Sequence, residues 1–164
     1  MVAQAHKPSP PAERVLVLSR DFDAPRELVF QAWSSPEHLA HWFGPKDFTL
    51  PFCEVDFRVG GRYQLCMRSP DGKDYWVHGV YREILEPERL AFTWERDGED
   101  DPHAGHTLVT ITLEARGARK TRLTLHQATF GSEEIRDGHA HGWGEAFARL
   151  NEYVEELRIE RTGS

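Results

Sequence analysis

Arg20–Pro45, RDFDAPRELVFQAWSSPEHLAHWFGP, and Asp56–Tyr63, DFRVGGRY, are the two stretches whose reading decides the fold. In the first, a strand end runs into Pro25, whose fixed φ suits a helix start where a missing N–H costs nothing. Glu27 stands in the first turn, where the helix dipole favours an acid. Leu28, Val29, Ala32 and Trp33 then recur at helical spacing. Ser35-Pro36-Glu37 repeats the signal, with Ser35 as N-cap and Pro36 at the first helical position, and Gly44-Pro45 stops this second short helix. Two helices joined almost without a loop must turn back on each other. The second stretch is a hairpin built on Gly60-Gly61.

Working outward, Val15–Ser19 (VLVLS) is β-branched and aliphatic and continues into Arg20-Asp21-Phe22, the pattern of a first strand. From Phe48 to Gln127 the period shortens from helical to alternating. Tyr63, Leu65 and Met67 alternate with Arg62, Gln64 and Arg68, and Pro70-Asp71-Gly72 makes a turn. Trp76, His78 and Val80 alternate in the next strand, Glu86-Pro87-Glu88 turns again, and Leu90, Phe92 and Trp94 follow. After a polar loop over Arg96–His106 come Val109, Ile111 and Leu113, a turn at Gly117, then Leu123 and Leu125. The pattern predicts about six antiparallel strands after the helix pair.

A long helix over about Ser132–Ile159 closes the chain, capped by Ser132, with Glu133 and Glu134 in its first turn. Trp143, Phe147, Leu150, Val154 and Leu157 mark one face. Gly138, Gly142 and Gly144 each weaken its first half by roughly 0.5–1 kcal/mol relative to alanine. They mark either a close backbone approach or a break between two shorter helices.

Composition bounds the rest. The 164 residues, 39% of them apolar and 11% aromatic, suit one globular domain. A chain of this length buries roughly 70% of its unfolded surface, enough for one core. The expected organisation is a Pro-rich tail over 1–13, a single domain over 14–159 and a short tail over 160–164. A net charge of −7 argues against nucleic acid, which demands a concentrated basic surface. No apolar run approaches the roughly 20 residues that span a bilayer, so no membrane is expected. Residues 1–13 lack the apolar centre of a secretion signal, and Cys53 and Cys66 read as small apolar thiols of a reducing cytoplasm.

The order β-α-α, six further strands and a long helix describes a curved antiparallel sheet wrapped around the C-terminal helix, an α+β helix-grip arrangement. The strand end RDFDAP, the helix RELVFQAW, SPEHLAHWFGP, VDFRVGGRY, PDG, HGVYREILEPERLAFTW and GWGEAFARLNEYVEEL together resemble the activator of heat-shock-protein-90 ATPase homologue family. The resemblance covers Arg14–Leu157. It implies the START/Bet v 1-like fold of lipid- and polyketide-binding domains and a chaperone partner; with neither a G-x-G-x-x-G nor a Walker-type loop in the sequence, no cofactor is expected.

A strongly curved sheet closed by a helix holds a cavity wherever its facing side chains leave a gap. The expected wall is Tyr63, Leu65, Met67, Trp76, His78, Phe92 and Trp94 from the sheet, with Trp143, Phe147 and Leu150 from the helix. Trp33, Trp42 and Phe43 plug one end. The same aromatic stripe equally suits a filled core. The leading expectation is a domain, monomeric or weakly dimeric, that binds a hydrophobic or aromatic small molecule without turnover. An aromatase-, cyclase- or hydrolase-like enzyme would need a polar pair in that cavity, which only His78 and a tyrosine such as Tyr63 offer. A co-chaperone that binds a heat-shock ATPase is the third expectation. His103-x-x-His106 and His139-x-His141 lack the three or four ligands of a zinc site, and Gly131-Ser132-Glu133 lacks a nucleophile elbow, so no metal and no catalytic residue is assigned.

Overall fold

Seven strands form one antiparallel sheet in the order β1-β7-β6-β5-β4-β3-β2, so the first strand closes on the last and β1 and β2 are its edges. The computed structural model describes residues 14–96, 105–128, 130 and 132–162. Its elements are β1 (Leu16–Phe22), α1 (Arg26–Gln31), α2 (Pro36–Leu39), β2 (Thr49–Val55), β3 (Arg62–Arg68), β4 (Asp74–Leu85), β5 (Arg89–Arg96), β6 (Gly105–Ala115), β7 (Thr121–Ala128) and α3 (Glu133–Thr162). The inner face of the sheet wraps α3, and α1 and α2 cover the end of the core. Among the described residues no helix is long and apolar enough to cross a membrane.

The local signals act largely as the sequence predicts. Ser35 Oγ accepts the His38 N–H at 3.2 Å and Ser132 Oγ accepts the Ile135 N–H at 3.2 Å, so both helix starts are capped. Pro25 differs: it is the N-cap itself, with extended ψ of 152°, and α1 begins one residue later at Arg26. α2 ends at Leu39 with Ala40 as its C-cap, earlier than the Gly44-Pro45 stop expected from sequence, and Gly44, at φ 106°, makes the left-handed turn after the helical turns that follow. Gly60-Gly61 closes the β2–β3 hairpin against β4, where Gly60 N–H donates to Tyr81 O at 2.8 Å and Tyr81 N–H donates to Gly61 O at 2.9 Å.

The glycines of the last helix do not break it, because α3 runs unbroken from Glu133 to Thr162, past the end expected at residue 159. Packing outweighs propensity here. Trp143, Phe147, Leu150 and Val154 are all buried against the sheet, each contributing about 1.5–3 kcal/mol, more than one glycine costs. Trp33 lies against Trp42, Phe92, Trp143 and Phe147 at centroid distances of 4.7, 6.1, 6.1 and 6.4 Å, which ties the helix pair to both sheet and α3. Trp33, Trp42 and Phe43 thus plug the core end as expected.

The α2–α3 contact carries a titratable cluster. His38 Nδ1 and Tyr153 Oη are 2.5 Å apart, and His41 stacks on the same tyrosine ring at 4.5 Å. Burial, then the neighbouring His41, holds His38 below its ordinary value of 6.5, against an opposing pull from Glu37. The folded state therefore prefers neutral His38, so its contribution is complete above pH 6.5 and is lost as pH falls through the depressed value. Asp21 and Asp74, held below 3.8 chiefly by hydrogen bonds from Arg122 and Arg68, lose their contributions only below that pH. Urea midpoints should accordingly fall between about pH 7 and pH 5, and His38→Gln should flatten that interval while leaving the drop below about pH 4 intact. An unchanged profile in His38→Gln would remove His38 as the cause.

Candidate functional site

The interior is filled where the sequence left room for a cavity. Tyr63, Leu65 and Phe92 do meet Trp33, Leu39, Phe43, Tyr81 and Leu90 around a central void, but it measures about 20 Å³, room for one water. Phe147 and Leu150 are part of this packed core. The space that remains is at its edge. Met67, Trp94 and Trp143 line an apolar hollow of about 120 Å³ with Phe43, Gly44, Pro45, Arg96, Gly138, His139, Gly142 and Ala146. This is comparable to the roughly 150 Å³ of an engineered cavity that takes benzene.

Trp76 and His78 are not part of this wall, and the correction has a clear cause. In β3–β4 pairing Gln64 stands opposite His78, Cys66 opposite Trp76 and Arg68 opposite Asp74. Directly opposed residues share a face, so Trp76 and His78 belong with the outward arginines, and Val77, Gly79 and Tyr81 point inward instead. Trp76 is 46% exposed and packs on Phe52 at 5.4 Å. His78 lines a broad, open depression of about 1090 Å³ on the outer face, with Glu54, Asp56, Arg62, Gln64 and Glu95. Val77 and Tyr81, both buried, alternate along the strand equally well, so alternation alone does not choose the inner face.

The polar pair required for chemistry is therefore split. His78 faces outward, while the Tyr63 hydroxyl donates to Thr93 O at 2.5 Å, and burial pushes its ionisation well above 10.0. Burial, with Glu37 nearby, pushes the Cys53 thiol up to about 11, and burial beside Asp74 also raises Cys66, so both cysteines are neutral thiols. Of the sequence-noted histidines, His103 lies outside the described residues. His139 Nδ1 bonds Ile135 O at 2.9 Å, and His106 Nδ1 is 3.5 Å from Glu95 Oε1.

How the hollow is built follows from α3. Gly138, Gly142 and Ala146 recur every fourth residue, so they lie on one stripe of the helix and withhold side chains from the space beside Trp143. Trp143 is held in place by a buried chain: its Nε1–H donates to Gln127 Oε1 at 2.9 Å, and Gln127 Nε2–H donates to Thr107 Oγ1 at 2.8 Å. Arg149 fixes the opposite rim, donating from Nη1 to Gly44 O and Pro45 O at 3.0 Å each. Arg96 stands 5.1 Å over the Tyr75 ring at the mouth. Trp94, only 6% exposed, has an indole N–H that finds no acceptor among the described residues. Of the two sequence readings of these glycines, a close approach to sheet or ligand and a helix break, the first fits Gly138 and Gly142, which border the hollow, whereas Gly144 lies off the stripe beside Arg20.

Comparisons with known proteins agree with the fold. No curated protein matches the chain. Protein NE0264 of Nitrosomonas europaea superposes with a TM-score of 0.76 at 27% identity, over 90% of this chain and 98% of its own. Protein CV1439 of Chromobacterium violaceum does so with a TM-score of 0.75 at 28% identity, over 87% and 97%. The AHSA1 protein SPO3351 of Silicibacter pomeroyi gives 0.75 at 28% identity, over 89% and 99%. The family model described as Activator of Hsp90 ATPase homolog 1-like protein matches residues 23–155. The chain belongs to that family and has its START/Bet v 1-like helix-grip fold.

Proposed function

We propose that this protein is a binding domain for a small apolar molecule of about one ring, held in the hollow between α3, β3 and β5. The observation that carries the reading is the Gly138–Gly142–Ala146 stripe. A Cβ at Gly142 would meet only Pro45 Cγ at 3.5 Å, ordinary contact, so alanine fits there and would add roughly 0.5–1 kcal/mol of helix stability. Packing does not require glycine at this position; open space does. The hollow's lining is mostly apolar and aromatic, as small-molecule sites are. A turnover reading finds less support, because His78 and Tyr63 stand on opposite faces of the sheet.

Ethylbenzene is a suitable probe. It should give saturable changes in the Trp94 and Trp143 signals of the folded protein, and Gly142→Leu, which fills the hollow, should abolish them while thermal unfolding stays cooperative. Unchanged ethylbenzene binding in a folded Gly142→Leu protein would place the ligand elsewhere and end this reading.

A further inference from the structure

Three sides border the hollow, and they are held by different means. On one side the backbone at Gly142 and Ala146 is fixed by α3 itself, which the Trp143–Gln127 hydrogen bond ties to β7. On the second, Met67 and Trp94 stand on β3 and β5, both interior strands of the sheet. The third side, Gly44-Pro45, belongs to neither layer and starts the connection from α2 to β2. Among the described residues, the backbone of Gly44–Asp47 makes no hydrogen bond to a helix or strand; Pro45 O accepts only from Phe48 N–H, at 3.0 Å, within the same connection.

What holds this strap is a pair of side chains from α3. Arg149 Nη1 donates to Gly44 O and Pro45 O at 3.0 Å each, and Glu145 Oε1 accepts the Lys46 N–H at 3.2 Å. The tethered chain is bent at both ends, with φ of 106° at Gly44 and 68° at Asp47, the one non-glycine residue in the left-handed region among those described. Such a conformation persists where surrounding contacts impose it. Pro45 stands across from the glycine stripe, since a Cβ at Gly142 would meet Pro45 Cγ at 3.5 Å. The breadth of the hollow therefore depends on where the strap is held. We infer that the Gly44–Asp47 strap is the size-selective wall of the hollow and that Arg149 is the positioning residue that sets it, so that a ring with a slender alkyl arm is admitted and one with a branched arm is refused. This rests on the hollow being the ligand site.

Ethylbenzene and tert-butylbenzene test it, because they share the ring and differ by two methyl groups on the arm. Against a tethered wall those methyls overpack the site, so ethylbenzene should bind the parent about 10-fold more tightly, read from saturable ¹H–¹⁵N shifts of the tryptophan indoles. Arg149→Met keeps an unbranched apolar side chain and removes the donors; it should bring the two probes to within about 2-fold of each other, chiefly by tightening tert-butylbenzene. Glu145→Ala, which removes the Lys46 acceptor, should move the ratio the same way by a smaller factor. Arg149→Lys, which keeps a donor for the carbonyls, should retain more of the discrimination than Arg149→Met. General destabilisation would weaken both probes alike and leave their ratio unchanged. An unchanged ratio in folded Arg149→Met and Glu145→Ala proteins would overturn the role of the strap and leave the hollow as a ligand site, as would equal affinities in the parent. Failure of both probes to bind the parent would overturn both claims.

Discussion

Gly79→Ala is expected to destabilise the protein by about 3 kcal/mol, lowering the melting temperature by roughly 6–12 °C. A Cβ at this position would fall 2.0 Å from Thr93 O and 2.7 Å from Tyr63 Cε1. The nearer obstacle is backbone, which cannot swing aside as a side chain would. It is also committed, because Thr93 O accepts the Tyr63 hydroxyl at 2.5 Å. Gly79 lies between the pairs His78↔Glu95 and Tyr81↔Phe92, two residues before the register shift that follows Tyr81, and beside it Val80 N–H donates to Thr93 Oγ1 at 2.9 Å. Relief of the clash must therefore part β4 from β5 or displace Tyr63 from the core. Thermal melts check the magnitude, and amide exchange along both strands checks the location. Gly142→Ala is the matched control, since the same chemical change there meets no obstacle and should be neutral or stabilising. A Gly79→Ala protein within about 1 kcal/mol of the parent would contradict this account of the close β4–β5 approach at Gly79.

Gln127→Leu should cost a similar amount, about 3 kcal/mol, by a different route. The side chain is fully buried and joins Trp143 on α3 to Thr107 on β6. Leucine keeps much of the volume but leaves the Trp143 N–H without an acceptor and Thr107 Oγ1 without its donor. The cost then comes from desolvated groups with no partner, not from a cavity. Thr107→Val removes one of those orphans, so Gln127→Leu/Thr107→Val should cost less than the sum of the single changes. Strict additivity in urea unfolding would show that the three groups do not act as a chain. Because Trp143 walls the hollow, Gln127→Leu should also weaken ethylbenzene binding, a loss that distant core damage would not produce at constant foldedness.

How much of this was legible in the sequence follows the range of each signal. Ser35-Pro36, Gly60-Gly61, Pro70-Asp71-Gly72 and Ser132-Glu133 act within a few residues, through φ limits and caps, and the corresponding helix starts and turns are where those residues predict. Alternation identified the strands, and it placed Tyr63, Leu65, Met67, Phe92 and Trp94 inward. It had no power to choose between Trp76-His78-Val80 and Val77-Gly79-Tyr81, because both sets alternate and both contain bulky residues. That choice belongs to the β3–β4 register, which opposes Trp76 and His78 to Cys66 and Gln64.

The sequence by itself determined the order and type of the elements, their caps and stops, and through them the family. Only the tertiary structure decided which face of β4 is buried, that the centre is filled to about 20 Å³, and that the space left lies beside Gly142, Trp94 and Trp143. Local conformation is set by neighbours along the chain, whereas a void is the difference between the volume that separate elements enclose and the volume their side chains occupy.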